Sequence, residues 1–176
     1  HDPGLQRHHL LPRQVLSARC FGTLFDAVGR DAAGFDDFRR NGLLLPARVD
    51  ASRRLGLPLH RGPHRRYNEL VMARVGQIEQ GWAALAPRAP DRARQQVAMQ
   101  LAGLQKALRR KLLDPPGERL RLSRMDPLGA HVDFTELDAM VDALWGATAP
   151  SSPFREGRAV FRVHGAAEDV IGTSVV

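Results

Sequence analysis

Two short stretches decide how this chain is read: Arg7-His8-His9-Leu10-Leu11-Pro12 and, farther along, His60-Arg61-Gly62-Pro63-His64. Between them they hold four of the seven histidines. The doublet, followed by apolar residues and Pro12, fits a strand that ends at the proline, which cannot donate to a ladder. Neighbouring residues on a strand point to opposite faces, so both histidines serve one site only if the strand ends or bulges there. In the second stretch Pro63 suits the first position of a helix. That predicts a helix beginning near Gly62-Pro63, with His64 in its first turn and His60 just before it. Neutral imidazole is a ligand for zinc and other divalent ions, and His-x3-His brings two rings together where the turn is tight. Two rings leave the shell incomplete. The doublet can complete it, one histidine binding the ion while its neighbour takes a proton from water.

The chain between and beyond these stretches forms the frame. Leu16, Cys20, Phe21, Leu24, Phe25 and Val28 recur at helical spacing, predicting one helix over 14–28 stopped by Gly29. Residues 30–40 read as a loop. Asn41-Gly42 is a turn signal, followed by the apolar run Leu43-Leu44-Leu45 and Pro46, the candidate second strand. Arg48 to Leu59 reads as a loop. Tyr67, Leu70, Val71, Val75, Ile78, Trp82 and Leu85 form an apolar stripe to about Ala86. A second helix is predicted from Asp91, as N-cap, to Leu113, its Arg109-Arg110-Lys111 run suiting the negative end of the helix dipole. Arg119 to Arg124 alternates as a short edge strand would. Asp133 to Trp145 has a helical pattern, 147–157 reads as a linker, and 158–163 and 170–176 read as two short strands, a hairpin. The expectation is a mostly helical α+β protein: a core of a β-hairpin plus helix over 1–86, a helical extension packed on it over 87–146, and a linker with short C-terminal strands over 147–176.

Composition narrows the partners. The 176 residues carry a formal charge of +7, and the sequence pI is near 11.0. That balance points to a polyanion such as nucleic acid. Residues 1–66 hold 12 arginines against 6 acidic residues, 87–124 hold 10 basic against 3 acidic, and 125–176 hold 3 against 8. A phosphate-facing surface is therefore expected from the first two-thirds. Hydrophobic content of 43% supports a real core and excludes a disordered chain. Cys20 is the lone cysteine, so no internal disulfide forms, and its place in an apolar pattern predicts a buried, inert thiol. No apolar run is long enough for a membrane span, and none reads as a signal peptide. The first residue is His1 rather than methionine, as expected of a piece of a longer polypeptide.

Taken together, His8-His9-Leu-Leu-Pro12, Asn41-Gly-Leu-Leu-Leu-Pro46 and His60-Arg-Gly-Pro-His64-Arg-Arg-Tyr67-Asn68 resemble the AHH family of the HNH/endonuclease VII (ββα-metal) nuclease superfamily. The order and spacing of all three blocks match, over about residues 5–75. The resemblance departs at Arg7, where the family name has alanine, a change expected to alter local packing and not metal binding. It implies a β-hairpin followed by a helix, clasping one divalent ion (Mg2+, Mn2+, Ni2+ or Zn2+). It implies His8 as a metal ligand, His9 as general base, His60 and His64 as further metal-side histidines, and Asn41 as a catalytic-site residue that ties the hairpin loop. The doublet can also be read in the opposite order, and His60 can be a loop residue contacting phosphate. Tyr67 and Asn68 brace the site. Arg13, Arg61, Arg65 and Arg66 are candidate contacts to flanking phosphates. His131 and His164 stand alone and read as surface or structural residues.

The expected activity is therefore metal-dependent hydrolysis of phosphodiester bonds in DNA, with RNA open as a substrate. The resemblance further implies the toxin domain of a secreted or contact-delivered bacterial effector, acting in the target-cell cytoplasm and neutralised by a cognate immunity protein. The alternative is a non-catalytic nucleic-acid-binding module whose histidines hold a structural zinc, a site closed by four protein ligands rather than three and a water. A metallopeptidase is disfavoured, because no His-Glu-x-x-His run exists and neither histidine pair has a glutamate beside it.

Overall fold

In the computed structural model the described residues are 4–116 and 118–127, with Ala139 and Ala143, both helical. The rest of the predicted helix over 133–145, the linker, the two C-terminal strands, His131 and His164 lie outside the described residues. The first strand, β1 (Leu5–His9), pairs antiparallel with the second, β2 (Gly42–Pro46). Between them run four short helices: α1 (Gln14–Ser17), α2 (Gly22–Val28), α3 (Arg30–Ala33) and α4 (Phe38–Asn41). After β2 come α5 (Val49–Leu55) and two long helices, α6 (Arg65–Leu85) and α7 (Pro90–Leu113). The protein is thus mostly helical α+β, with a two-stranded sheet. Among the described residues no helix is long and apolar enough to cross a membrane.

The sheet register sets the site. His8 lies opposite Leu43 and His9 opposite Gly42, the last pair of the ladder. β1 stops at His9, before the proline, because the next backbone groups turn to Asn41: Leu10 N donates to the Asn41 carbonyl at 2.9 Å, and Leu11 N to Asn41 Oδ1 at 2.7 Å. Asn41-Gly42 is accordingly not a tight hairpin turn. Asn41 ends α4 and Gly42 is extended (φ −135°), so the strands are joined through the helices rather than by two turn residues.

Several local expectations are corrected. The helix predicted over 14–28 is broken. Ser17 Oγ donates to the Gln14 carbonyl, a local bond that competes with helix continuation, and Ala18 is extended. A 3-10 turn, Arg19–Phe21, then points Phe21 inward and leaves Cys20 exposed rather than buried. The loop predicted over 30–40 contains α3 and α4, the latter capped by Asp37, whose carboxylate accepts from Arg39 N at 2.9 Å. The loop predicted over Arg48–Leu59 contains α5, which carries Asp50 in its first turn and ends at left-handed Gly56. The helix placed at Gly62-Pro63 starts at Arg65. Gly62 has φ +83°, which no helical turn accepts, and His64 is the N-cap. Pro90, not Asp91, opens α7, with Ala89 as N-cap. Residues 119–124 form no strand. Leu120 and Leu122 are buried in the core, and Leu120 N donates to the Lys111 carbonyl at 2.9 Å.

One core unites the elements. Tyr67, Val71, Val75 and Ile78 on α6 meet Val97, Leu101, Leu104 and Leu108 on α7. The same cluster takes in Leu10, Leu11, Val15, Leu24 and Leu45. Burial of these side chains stabilises the fold by ~1.5–3 kcal/mol each. The basic end of α7 is structural in part: Arg109 Nη2 donates to the Arg39 carbonyl at 2.7 Å, and Lys111 forms a buried ion pair with Asp114 at 3.1 Å.

Candidate metal centre

The alternation of β1 sorts its side chains. Gln6 and His8 face the α6 side, where Gln6 Oε1 lies 3.2 Å from His60 Nδ1. Arg7 and His9 face Phe38: the Arg7 guanidinium carbon is 4.5 Å from the ring centroid, and the His9 ring 6.4 Å from it. Arg7, the residue that departs from the family name, thus stacks on an aromatic ring and leaves the His8 side untouched.

His8, His60 and His64 converge. One ring nitrogen from each lies within 4.8 Å of the others. The ring centroids of His8 stand 5.1 Å from His60 and 5.7 Å from His64, and those of His60 and His64 are 4.6 Å apart. Three elements hold these rings. β1 carries His8. His60 is tied to the end of β2 by its own N–H, which donates to the Pro46 carbonyl at 2.8 Å. His64 caps α6. Tyr67, one turn into α6, is buried; its ring meets His8 edge-on at 5.0 Å, and its hydroxyl donates to the Leu10 carbonyl at 2.7 Å. Asn68 Nδ2 donates to Gln14 Oε1 at 2.8 Å, linking α6 to α1.

The donor set fits a divalent ion. The Leu122 carbonyl can only accept, so the 2.9 Å contact with His64 Nδ1 puts the proton there and leaves Nε2 as a lone pair. Gln6 Oε1 does the same for His60. His8 Nε2 is buried and has no hydrogen-bond partner among the described residues, in a side chain enclosed by three aromatic rings. An orphaned buried nitrogen costs free energy unless something binds it. Burial first, then the charges of His60, His64 and His9, pushes the His8 pKa down to about 3; burial and then His64 pushes His60 down to about 4. At neutral pH both rings are unprotonated, the form that ligates.

His9 lies outside the three, half-buried at the end of the sheet. Burial, Arg13 and Arg7 lower its pKa, and Asp36 acts against them. Asn41 is fully buried and bonded to backbone, so its contribution to the site runs through the loop after β1. Arg13, Arg61, Arg65 and Arg66 are exposed and form no ion pair among the described residues. Burial holds the Tyr67 phenol well above the ordinary range, so it stays protonated. Sequence reasoning missed Gln6 and the Leu122 carbonyl. Gln6 was open to discovery two residues before His8 on the same strand face. A backbone acceptor leaves no residue-type signal.

Comparison with known proteins places the chain in context. A family model described as a nuclease family of the HNH/ENDO VII superfamily with conserved AHH matches residues 1–108. The match is longer than the three histidine and asparagine blocks, and takes in most of α7. No curated protein and no solved structure matches the chain.

Proposed function

The chain belongs to the AHH nuclease family of the HNH/ENDO VII superfamily, and from that footing we propose that it is a metal-dependent endonuclease of the ββα-metal type, cutting DNA. The observation that carries the reading is the convergence of His8, His60 and His64, with outer nitrogens of His60 and His64 engaged and the buried His8 Nε2 unpartnered. In this reading the three imidazoles hold one divalent ion, drawn from Mg2+, Mn2+, Ni2+ or Zn2+. The ion supplies charge stabilisation to the phosphoryl oxygens and to the leaving 3′-oxygen.

The chain's own groups do the rest. His9, neutral at physiological pH, accepts the proton of the attacking water. The phosphorus–oxygen bond to the 3′-oxygen breaks, and that oxygen ends as a hydroxyl protonated from solvent. Arg61, Arg65 and Arg66, beside the metal-side histidines, and Arg13, just past the strand end, bind flanking phosphates as bidentate donors. Asn41 holds the loop after β1 so that His9 stands at the end of the sheet. Three ligand nitrogens, rather than four, favour this reading over a closed structural zinc site among the described residues. The test is a plasmid nicking assay with each of the four ions against a chelator, beside His9→Ala. Metal-dependent nicking that His9→Ala abolishes supports hydrolysis; plasmid left intact with every ion sinks it. An RNA substrate run in parallel decides between the two polymers.

The toxin role extends the same proposal. A DNA endonuclease delivered into another cell would act in its cytoplasm and need a partner protein to silence it in the producer. Expression in a bacterial host should arrest growth, and His8→Ala should relieve the arrest. Equal toxicity of the two proteins would count against it.

A further inference from the structure

Residues 118–127 lie beyond the stretch matched by the family model, yet they are bound to the loop that carries two of the three candidate ligands. Three contacts make the connection, and a fourth, inside the segment, joins two of the residues that make them. The Leu122 carbonyl accepts from His64 Nδ1 at 2.9 Å. Asp126 Oδ2 accepts from Leu59 N, next to His60, at 3.3 Å. Arg119 Nη1 donates to the carbonyl of Gly56, where that loop leaves α5. Arg119 Nη2 and Asp126 Oδ1 form an ion pair at 3.6 Å, with both side chains fully shielded from solvent. The segment is itself anchored, through Leu120 N to the Lys111 carbonyl and through Leu120 and Leu122 in the core.

A buried ion pair is a poor source of net stability, because desolvating both charges offsets their attraction. Its use here is better read in what it fixes. Both partners also bond backbone of the 56–64 loop, so the pair clamps that loop at both ends of its approach to His60. The Leu122 carbonyl adds orientation, since it holds the His64 ring with Nε2 turned away from the acceptor. Outer partners of this kind commonly account for a tenfold to hundredfold change in metal affinity.

We infer that residues 118–127 form a positioning strap for the metal centre, with Arg119 and Asp126 as positioning residues and the Leu122 carbonyl setting the tautomer of His64. The strap rests on the proposal that the three histidines bind a divalent ion. It adds that the ligand geometry is completed from a part of the chain outside the family match.

The test is a cobalt(II) titration of the full chain followed by visible absorption, comparing wild type with Asp126→Ala. The strap predicts cobalt affinity weaker by about 10–100-fold in the variant, with an altered ligand-field spectrum and unchanged helix content by circular dichroism. A merely structural Asp126 would lower the melting temperature and leave cobalt affinity and spectrum alone, which overturns the strap. If the wild type binds no cobalt, the metal reading falls and the strap with it. Should Asp126→Ala fail to fold, nitrogen-15 spectra of the histidines in metal-free wild type decide. A proton on His64 Nδ1 supports the strap, and a proton on Nε2 overturns it.

Discussion

Asn41 serves as a strand partner for Leu11: its Oδ1 accepts the Leu11 N–H at 2.7 Å, and its Nδ2 donates to the Leu11 carbonyl at 3.2 Å. The same amide also donates to the Phe35 carbonyl at 3.2 Å, and Gln105 on α7 donates to Oδ1 at 3.4 Å. One side chain therefore closes both polar groups of a buried residue just past the end of β1. Asn41→Ala would leave these groups buried without partners. The expected cost is about 2–4 kcal/mol, since each orphaned buried group costs roughly 1–3 kcal/mol. Asn41→Asp keeps an acceptor for Leu11 N but turns a carboxylate on two carbonyls, and should cost at least as much. Urea denaturation checks both; a loss in Asn41→Ala below about 0.5 kcal/mol, the scale of an ordinary surface change, would show that the amide is dispensable.

Single alanine variants separate the histidines by role. His8→Ala removes a candidate ligand and should abolish both metal-induced thermal stabilisation and cleavage. His9→Ala should keep the metal-induced rise in melting temperature while cleavage falls by about 10²–10⁴-fold, the range for a positioned general base. The pair of readouts matters more than either alone. If His9→Ala loses the thermal response and His8→Ala keeps it, the doublet works in the opposite order.

What could be read from the chain follows from how each signal is encoded. The long helices α6 and α7 were legible because Tyr67, Val71, Val75, Ile78 and Val97, Leu101, Leu104, Leu108 repeat on one face. The three-histidine cluster was legible because imidazole chemistry is specific to residue type. The helices α1 and α2 were read as one unbroken helix, and α3 to α5 were read as loop, since four to seven residues give less than two turns of pattern and tertiary contacts decide them. Cys20 was misplaced because a 3-10 turn shifts the phase of the apolar face, as sequence periodicity cannot register. Leu122 was invisible as a site residue because it acts through its carbonyl, which every residue has.

Acid should weaken the metal-free fold in a defined window. In the unfolded chain both imidazoles protonate near the ordinary 6.5, whereas in the fold His8 resists protonation to about pH 3 and His60 to about pH 4. Between these limits the unfolded chain binds more protons, so stability declines as pH falls below about 6.5 and levels off once the folded values are passed. Above 6.5 neither ring contributes. Melting temperatures of chelator-treated protein from pH 8 to 4 should show the decline, and His8→Ala should show a shallower one. Parallel curves for the two proteins would mean that the cluster does not carry the effect. Zinc or nickel should delay the decline, because ion and proton compete for the same nitrogens.

Gly42 holds the site from the other face of the sheet. It stands opposite His9, and a Cβ built on it would clash with Cδ2 and Cε2 of the Phe38 ring. The Phe38 ring occupies the room that this glycine leaves, and it is the ring against which Arg7 and His9 rest. Gly42→Ala should therefore displace Phe38 and cost about 1–3 kcal/mol, as overpacking commonly does. Because His9 leans on that ring, cleavage should fall as well, while metal affinity, set on the opposite face by His8, His60 and His64, stays as it was. A double-mutant cycle isolates the cause. In a Phe38→Ala background the space is already clear, so Gly42→Ala should cost little more, giving a coupling energy on the order of 1 kcal/mol or greater. Strictly additive losses would show that the penalty at position 42 arises in the backbone, and that Phe38 is not what the glycine accommodates.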